Sequence, residues 1–237
     1  MITEPIVVAG VGGIGSHVVI NAIGRIGFTE LTLYDPDIVE MHNLHNQAYF
    51  RGDIPSGKQQ PLAKVKAVRR YLQAQLAPGL IRPIIRAKQT RADGDPSRYR
   101  GIVIVMTDSI ESRIEIFSGV TFHSAVELYI VAGASESVGI IYALDPRDPD
   151  QVDCYRHTLR PDAAGAQAPA CVDPSFGPAF AGAIGTILQR FSRIGPEAWM
   201  PTAVQVTEMN FSNRPFMRTR DLPIRIGKYT LKERSMP

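Results

Sequence analysis

The sequence predicts an α/β protein built on a doubly wound, mostly parallel sheet with antiparallel strands towards its C-terminal end. Three observations carry this. Residues 5–10 (PIVVAG) and 101–106 (GIVIVM) are short, β-branched and almost wholly apolar, as strands buried on both faces are. Apolar positions at helical spacing alternate with such runs up to Met106. Glycines follow the first run at once, marking a strand–turn–helix junction.

Each element has its own signal. After the first strand, Ile14, Val18, Ala22, Ile23 and Ile26 recur at helical spacing between Gly13 and Gly27, and residues 31–35 (LTLYD) form the second strand. Residues 36–57 are polar and read as a long functional connection. A helix is expected from about Gly57 to Leu76, with Leu62, Val65, Val68, Leu72 and Leu76 inward and Pro78 and Gly79 closing it. Leu80–Ile85 reads as a third strand, placed at a sheet edge by Pro83. Gly101–Met106 is a central parallel strand ending at Thr107 and Asp108, and Leu128–Ala134 pairs with Ser137–Leu144. Residues 145–178, rich in Pro, Asp, Ala and Gly, read as an extended crossing loop. A small-residue helix over 179–194 and strands over Thr202–Phe211 and Phe216–Ile226 complete the chain.

Composition narrows the function classes. A chain of 237 residues with 44% hydrophobic and 21% charged residues is a single globular domain, not a disordered, collagenous or coiled-coil protein. The net charge of +3 is spread along the chain and lends no support to a nucleic-acid partner. Two cysteines, Cys154 and Cys171, make no disulfide framework and suit a reducing compartment. No apolar stretch approaches the roughly 20 residues of a membrane span, and Glu4 stands where a signal peptide would be basic. A cytoplasmic protein without a membrane partner is expected.

The sharpest local signal is Gly10-Val-Gly12-Gly13-Ile-Gly15-Ser16, a GxGxxG pattern between a strand and a helix, where backbone N–H groups can approach a phosphate. Asp35 lies at the end of the second strand, where a carboxylate accepts hydrogen bonds from ribose hydroxyls. The junction is therefore Rossmann-like and the expected ligand is a nucleotide with a ribose; the bland alternative is a tight turn beside a solvated acid.

Beyond the second strand runs Asp35-Pro-Asp37-Ile-Val-Glu40-Met-His-Asn43-Leu-His-Asn46-Gln47, followed by AKVKA (63–67), VMTDSIESR (105–113), DCYRHTLRPD (153–162) and SFGPAFAGAIGTIL (175–188). In this order, over nearly the whole chain, the segments resemble the ThiF/MoeB/HesA superfamily of ubiquitin-activating-enzyme-like adenylyltransferases. The resemblance implies one ThiF-type adenylation domain over 1–237, with a nucleotide-binding core at 1–145, a crossover loop at 146–178 and a C-terminal helix and strands at 179–237. It implies binding of ATP and Mg²⁺ by Gly10, Gly12, Gly13, Gly15, Asp35, Asp37, Asn43, Asn46, Gln47, Lys64, Asp108 and Ser109. In it the glycine loop holds the α-phosphate, Asp35 the ribose, and Asn43 and Gln47 face the phosphates. Lys64 offsets charge on the attacked phosphorus, and Asp108 holds Mg²⁺. The implied partner is a ubiquitin-like or sulfur-carrier protein whose C-terminal glycine carboxylate becomes an acyl-adenylate, and the implied assembly is a homodimer.

Read from the residues alone, Lys66 competes with Lys64 as the phosphate lysine, and Asp108 can equally cap the following helix. Cys171, in the crossover loop, matches a family cysteine that links covalently to the activated partner; otherwise it is an inert loop thiol.

Four departures from the family pattern stand out. Asn46 replaces a phosphate-binding arginine, a loss that Arg51, Lys58 or a partner's arginine would have to offset. Nine residues precede Gly10, where several relatives carry a helix that sends an arginine into the neighbouring subunit. The connection from Gln47 to Lys64 is longer than usual. Cys154, His157 and Cys171 fall short of the four ligands of a structural zinc, so none is expected.

Two other readings use the same residues. One is an enzyme like the tRNA threonylcarbamoyladenosine dehydratases, which the weak charge does not favour; the other is a catalytically silent nucleotide-binding subunit, which Asn46 favours. An NAD dehydrogenase would need an acid/base pair in a second domain, and the chain after residue 150 offers a loop and one helix instead.

Overall fold

The computed structural model describes residues 1–54, 60–75, 82–135, 138–159, 174–195, 204–210 and 216–222, and the backbone of 225–226 and 229–230. Eight strands form one sheet: β1 (Ile6–Ala9), β2 (Glu30–Tyr34), β3 (Ile84–Lys88), β4 (Gly101–Val105), β5 (Val126–Ser135), β6 (Val138–Leu144), β7 (Gln205–Asn210) and β8 (Phe216–Asp221). Their order is β3-β2-β1-β4-β5-β6-β7-β8. The five strands from β3 to β5 are parallel and the remaining pairings are antiparallel. This is the mixed α/β sheet the sequence predicts.

The helices are α1 (Gly13–His17), α2 (Gly24–Ile26), α3 (Lys64–Gln75), α4 (Ile110–Val120), α5 (Pro149–Arg156) and α6 (Phe176–Ile194). A π-helical stretch, Val18–Ile23, joins α1 to α2 without a break and packs on α6. Alternation along β1 and β4 sends successive residues to two cores. Ile6, Val8, Ile102 and Ile104 pack with Val18, Val65, Leu72, Ile184 and Leu188 on one face. On the other, Val7, Val103 and Val105 pack with Ile116, Phe117 and Tyr155. Burial on both faces is why these strands lack a polar register.

Several boundaries differ from the sequence reading. Helix α3 begins at Lys64, not near Gly57, because the chain before it is engaged elsewhere: Ala63 bridges Ile38, the Val39 N–H donates to the Leu62 carbonyl at 2.9 Å and the Lys64 N–H to the Asp37 carbonyl at 3.0 Å. Strand β3 begins at Ile84, after Pro83, while Leu80 and Ile81 lie outside the described residues; it is an edge strand, and its pairing begins where the Ile84 N–H reaches the Thr29 carbonyl at 2.9 Å. The predicted crossing loop contains α5, capped by Asp148, whose carboxylate accepts from the Asp150 and Gln151 amides, with Pro149 at its first position. Helix α6 starts three residues before the expected 179. The last predicted strand is β8 followed by a separate antiparallel pair, β9 (Arg225–Ile226) and β10 (Tyr229–Thr230). Among the described residues no helix is long and apolar enough to cross a membrane.

Candidate functional site

The parallel strands end level with one another: Ala9 pairs with both Tyr34 and Val105, and Val105 with Val131. Just beyond these carboxyl ends lies a cavity of about 630 Å³, where open α/β sheets take their ligands.

The glycine loop forms one wall, and its glycines divide the work. Gly10 has φ +89°, and a Cβ there would sit 2.7 Å from the Met106 carbonyl oxygen. A Cβ on Gly15 would sit 2.1 Å from the Gly10 carbonyl oxygen. These two shape the turn. Gly12 has nothing within 4 Å of a Cβ position, and Gly13 meets only Asn46, at 3.7 Å; these two keep the cradle open. The loop is held from both sides, because the Val11 N–H donates to Asp35 Oδ2 at 2.8 Å while the Val11 carbonyl accepts from the Tyr49 hydroxyl at 2.6 Å. Ser16, the last residue of the motif, accepts from the Ala48 N–H at 2.9 Å and ties α1 to the long connection.

Asp35 is buried, at 6% exposure, with its second oxygen accepting from the Asp37 N–H at 2.9 Å. Burial pushes its carboxyl above the usual carboxylate range, and the two amides and the Lys64 charge oppose that rise. Lys64, the first residue of α3, points into the cavity and donates from Nζ to Asp37 Oδ2 at 2.9 Å. Lys66 is exposed and does not line the cavity.

Asp108 lines the cavity at the end of β4 and is exposed. The cap of α4 is its neighbour: Ser109 Oγ accepts from the Ser112 N–H at 3.2 Å, which leaves the Asp108 carboxylate out of the helix end. Asn46 and Gln47 line the cavity. Asn43 does not; it is buried, and its Oδ1 accepts from the Glu40 N–H at 2.9 Å to shape the connection. Arg51 is exposed and lies off the cavity wall, while Lys58 and Cys171 fall outside the described residues.

Two guanidinium groups complete the wall. Arg113, within the VMTDSIESR segment, donates to the Thr107 carbonyl from Nε at 3.0 Å and Nη2 at 2.7 Å. It lies where Gly133 leaves room, since a Cβ there would be 2.6 Å from Nη2. Arg91 matches no motif and was missed in the sequence; it lines the cavity from the connection after β3, with Nε 3.0 Å from Ser112 Oγ and Nη2 on the same oxygen. The signal that could have found it is position, at the carboxyl end of a parallel strand.

Thr107 Oγ1 and Gln47 Oε1 are buried in the cavity wall with no hydrogen-bond partner among the described residues, so the wall retains polar capacity for a ligand. No described group of three His, Cys, Asp or Glu could enclose a metal ion. Of the three carboxylates on the wall, Asp35 accepts from two amides and Asp37 from Lys64, and Asp108 is the one whose exposed oxygens fit the chemistry of a hard cation such as Mg²⁺.

A family model described as the ThiF family matches residues 3–219. No curated protein matches the sequence. Among solved structures, selenomethionine PaaA aligns with a TM-score of 0.66 at 14% identity, over 93% of this chain and 64% of that one. E. coli MccB with AMPCPP and MccA aligns with a TM-score of 0.64 at 18% identity, over 92% of this chain and 63% of that one. E. coli MccB with ATP gives 0.63 and 16%, over 92% and 63%. At these identities the likeness is one of fold, and this chain spans 63–64% of the length of these three structures.

Proposed function

The chain belongs to the ThiF family, and on that premise we propose that it is an ATP-dependent adenylyltransferase acting on a peptide or protein carboxylate. The finer part of the proposal is the substrate, the C-terminal glycine carboxylate of a ubiquitin-like or sulfur-carrier protein. One observation carries the reading: an open glycine cradle, a buried acid at the β2 end, a buried lysine and an exposed acid at the β4 end share one cavity. The E. coli MccB structures, one with ATP and one with AMPCPP and MccA, support it by analogy of fold.

In this reading the amides around Gly12 and Gly13 receive the α-phosphate, and Asp35 accepts from the ribose hydroxyls. A carboxylate oxygen of the partner attacks the α-phosphorus as the bond to the bridging α–β oxygen breaks, giving an acyl-adenylate and pyrophosphate. Lys64 places a positive charge where negative charge accumulates on the phosphoryl oxygens. Asp108 would hold Mg²⁺, which when bound neutralises triphosphate charge.

A second reading, a nucleotide-binding subunit without activity, is favoured by Asn46, an uncharged amide on the cavity wall where the family pattern has arginine. ATP–pyrophosphate exchange separates the two. Exchange that appears only with a C-terminal-glycine carrier supports the proposal. Exchange driven by tRNA, or ATP binding without exchange under any condition, overturns it.

A further inference from the structure

The ends of the parallel strands set out the cavity in a line, and that line has a member no motif supplies. Along the sheet from β4 to β3 stand Asp108, the glycine loop after β1, Asp35 at the end of β2, and Arg91 in the connection after β3. If phosphates lie on the glycine loop and the ribose on Asp35, a nucleotide continues past Asp35 in the same direction, and its base arrives at Arg91. This rests on the nucleotide reading above.

Three features make Arg91 more than a chance neighbour. Its guanidinium reaches from the β3 side to Ser112 on α4, so it crosses the cavity wall rather than extending into water. Both bonds go to one neutral hydroxyl, Ser112 Oγ, so the contact fixes the guanidinium without neutralising it. By contrast, Lys64 is paired with a carboxylate and Arg113 is bound to a carbonyl at the β4 end. Tyr34 and Ala92 line the cavity as well and offer an aromatic ring and a methyl to a planar ligand, the Tyr34 ring itself being covered by the Arg98 guanidinium at 5.8 Å. A planar guanidinium fixed at its edge presents its face, and such faces stack on aromatic rings.

We propose that Arg91, held by Ser112, is the base-contacting residue of this cavity and takes the purine ring of a nucleotide rather than its phosphates. The chemistry gives two separable ligands, the uncharged nucleoside and the bare polyphosphate. Calorimetric titration of the full chain with adenosine, ATP and inorganic tripolyphosphate tests it. Arg91→Ala should weaken adenosine and ATP by about tenfold, equivalent to about 1.4 kcal/mol, and leave tripolyphosphate unchanged. Arg91→Lys, which keeps the charge and stem but not the plane, should weaken adenosine similarly, and it carries the test if the alanine variant fails to fold. Loss of tripolyphosphate affinity in either variant would make Arg91 a phosphate contact and overturn the inference, as would unchanged adenosine affinity. A wild-type chain that binds no ATP would overturn the nucleotide reading and this inference with it, whereas wild-type binding indifferent to Arg91 overturns this inference alone.

Discussion

Lys64 and Asp37 share a 2.9 Å contact but occupy different solvents: the lysine side chain is 8% exposed and the aspartate 60%. The lysine is the dependent member of the pair, because a buried ammonium needs a partner while a hydrated carboxylate does not.

Replacing Lys64 therefore separates catalysis from folding. Lys64→Met keeps a buried apolar stem at the first position of α3 and leaves Asp37 alone in water. Exchange should fall by about 10²–10³, the usual cost of one stabilising group at a developing oxyanion. The melting temperature should stay close to that of the wild type, and calorimetry beside the exchange assay checks both. Lys66→Met, on the exposed side of α3, should change neither.

Asp108 and Ser109 are adjacent and should behave oppositely. Asp108→Ala removes an exposed carboxylate that caps nothing, so exchange should vanish with no thermal shift. Ser109→Ala removes the acceptor of the Ser112 N–H and should lower stability by about 1 kcal/mol. A thermal melt of each variant, set against its Mg²⁺-dependent exchange, distinguishes them; an Asp108→Ala protein with normal exchange would remove that residue from the metal.

The glycines of the loop should split in the same way. Gly12→Ala places a methyl in open space, so the protein should fold normally and bind ATP about tenfold more weakly as the cradle fills. Gly15→Ala drives a Cβ to 2.1 Å from a backbone oxygen, and Gly10→Ala combines a 2.7 Å approach with a positive φ. Both should be strongly destabilised, by several kcal/mol. Chemical denaturation of all three variants measures the difference.

Asp35 gives a pH signature in which stability and binding diverge. Its carboxyl is raised by burial, so the folded protein holds that proton more tightly than the unfolded chain does. Its linkage contribution to stability is fully present below the unfolded value and is lost as pH rises through the folded value. Ribose binding has the opposite trend, since only the ionised carboxylate accepts from two hydroxyls. Adenosine affinity should fall on the acid side at a pH above the ordinary aspartate range. Asp35→Asn should bind weakly and show no such fall. A pH series with adenosine, whose sugar carries no charge, reads this directly.

How far the sequence carries depends on what each signal measures. β1 and β4 were legible because uniform apolarity over four or five residues leaves few alternatives to a strand buried on both faces. The start of α3 was not, because apolar spacing records which side chains point inward and not where backbone pairing with residues 37–39 yields to a helix. Helix α5 carried a readable cap in Asp148 and Pro149, hidden within a Pro- and Asp-rich composition that also describes loops. In the site, Asp35, Lys64 and Asp108 sit in motifs and line one cavity, whereas Asn43 from the same motif supports the connection instead. Arg91 had no pattern to announce it; only the contact between the connection after β3 and Ser112 on α4 holds it at the wall.

The double hold on Val11 has a consequence for kinetics. With its amide tied to Asp35 and its carbonyl to Tyr49, the phosphate-facing turn is set during folding and has little freedom left to surrender when a nucleotide docks. Arrival should then be governed by encounter, without a slow rearrangement of this segment. Tyr49→Phe, which frees one side of the hold, is where a lag would first emerge in stopped-flow traces.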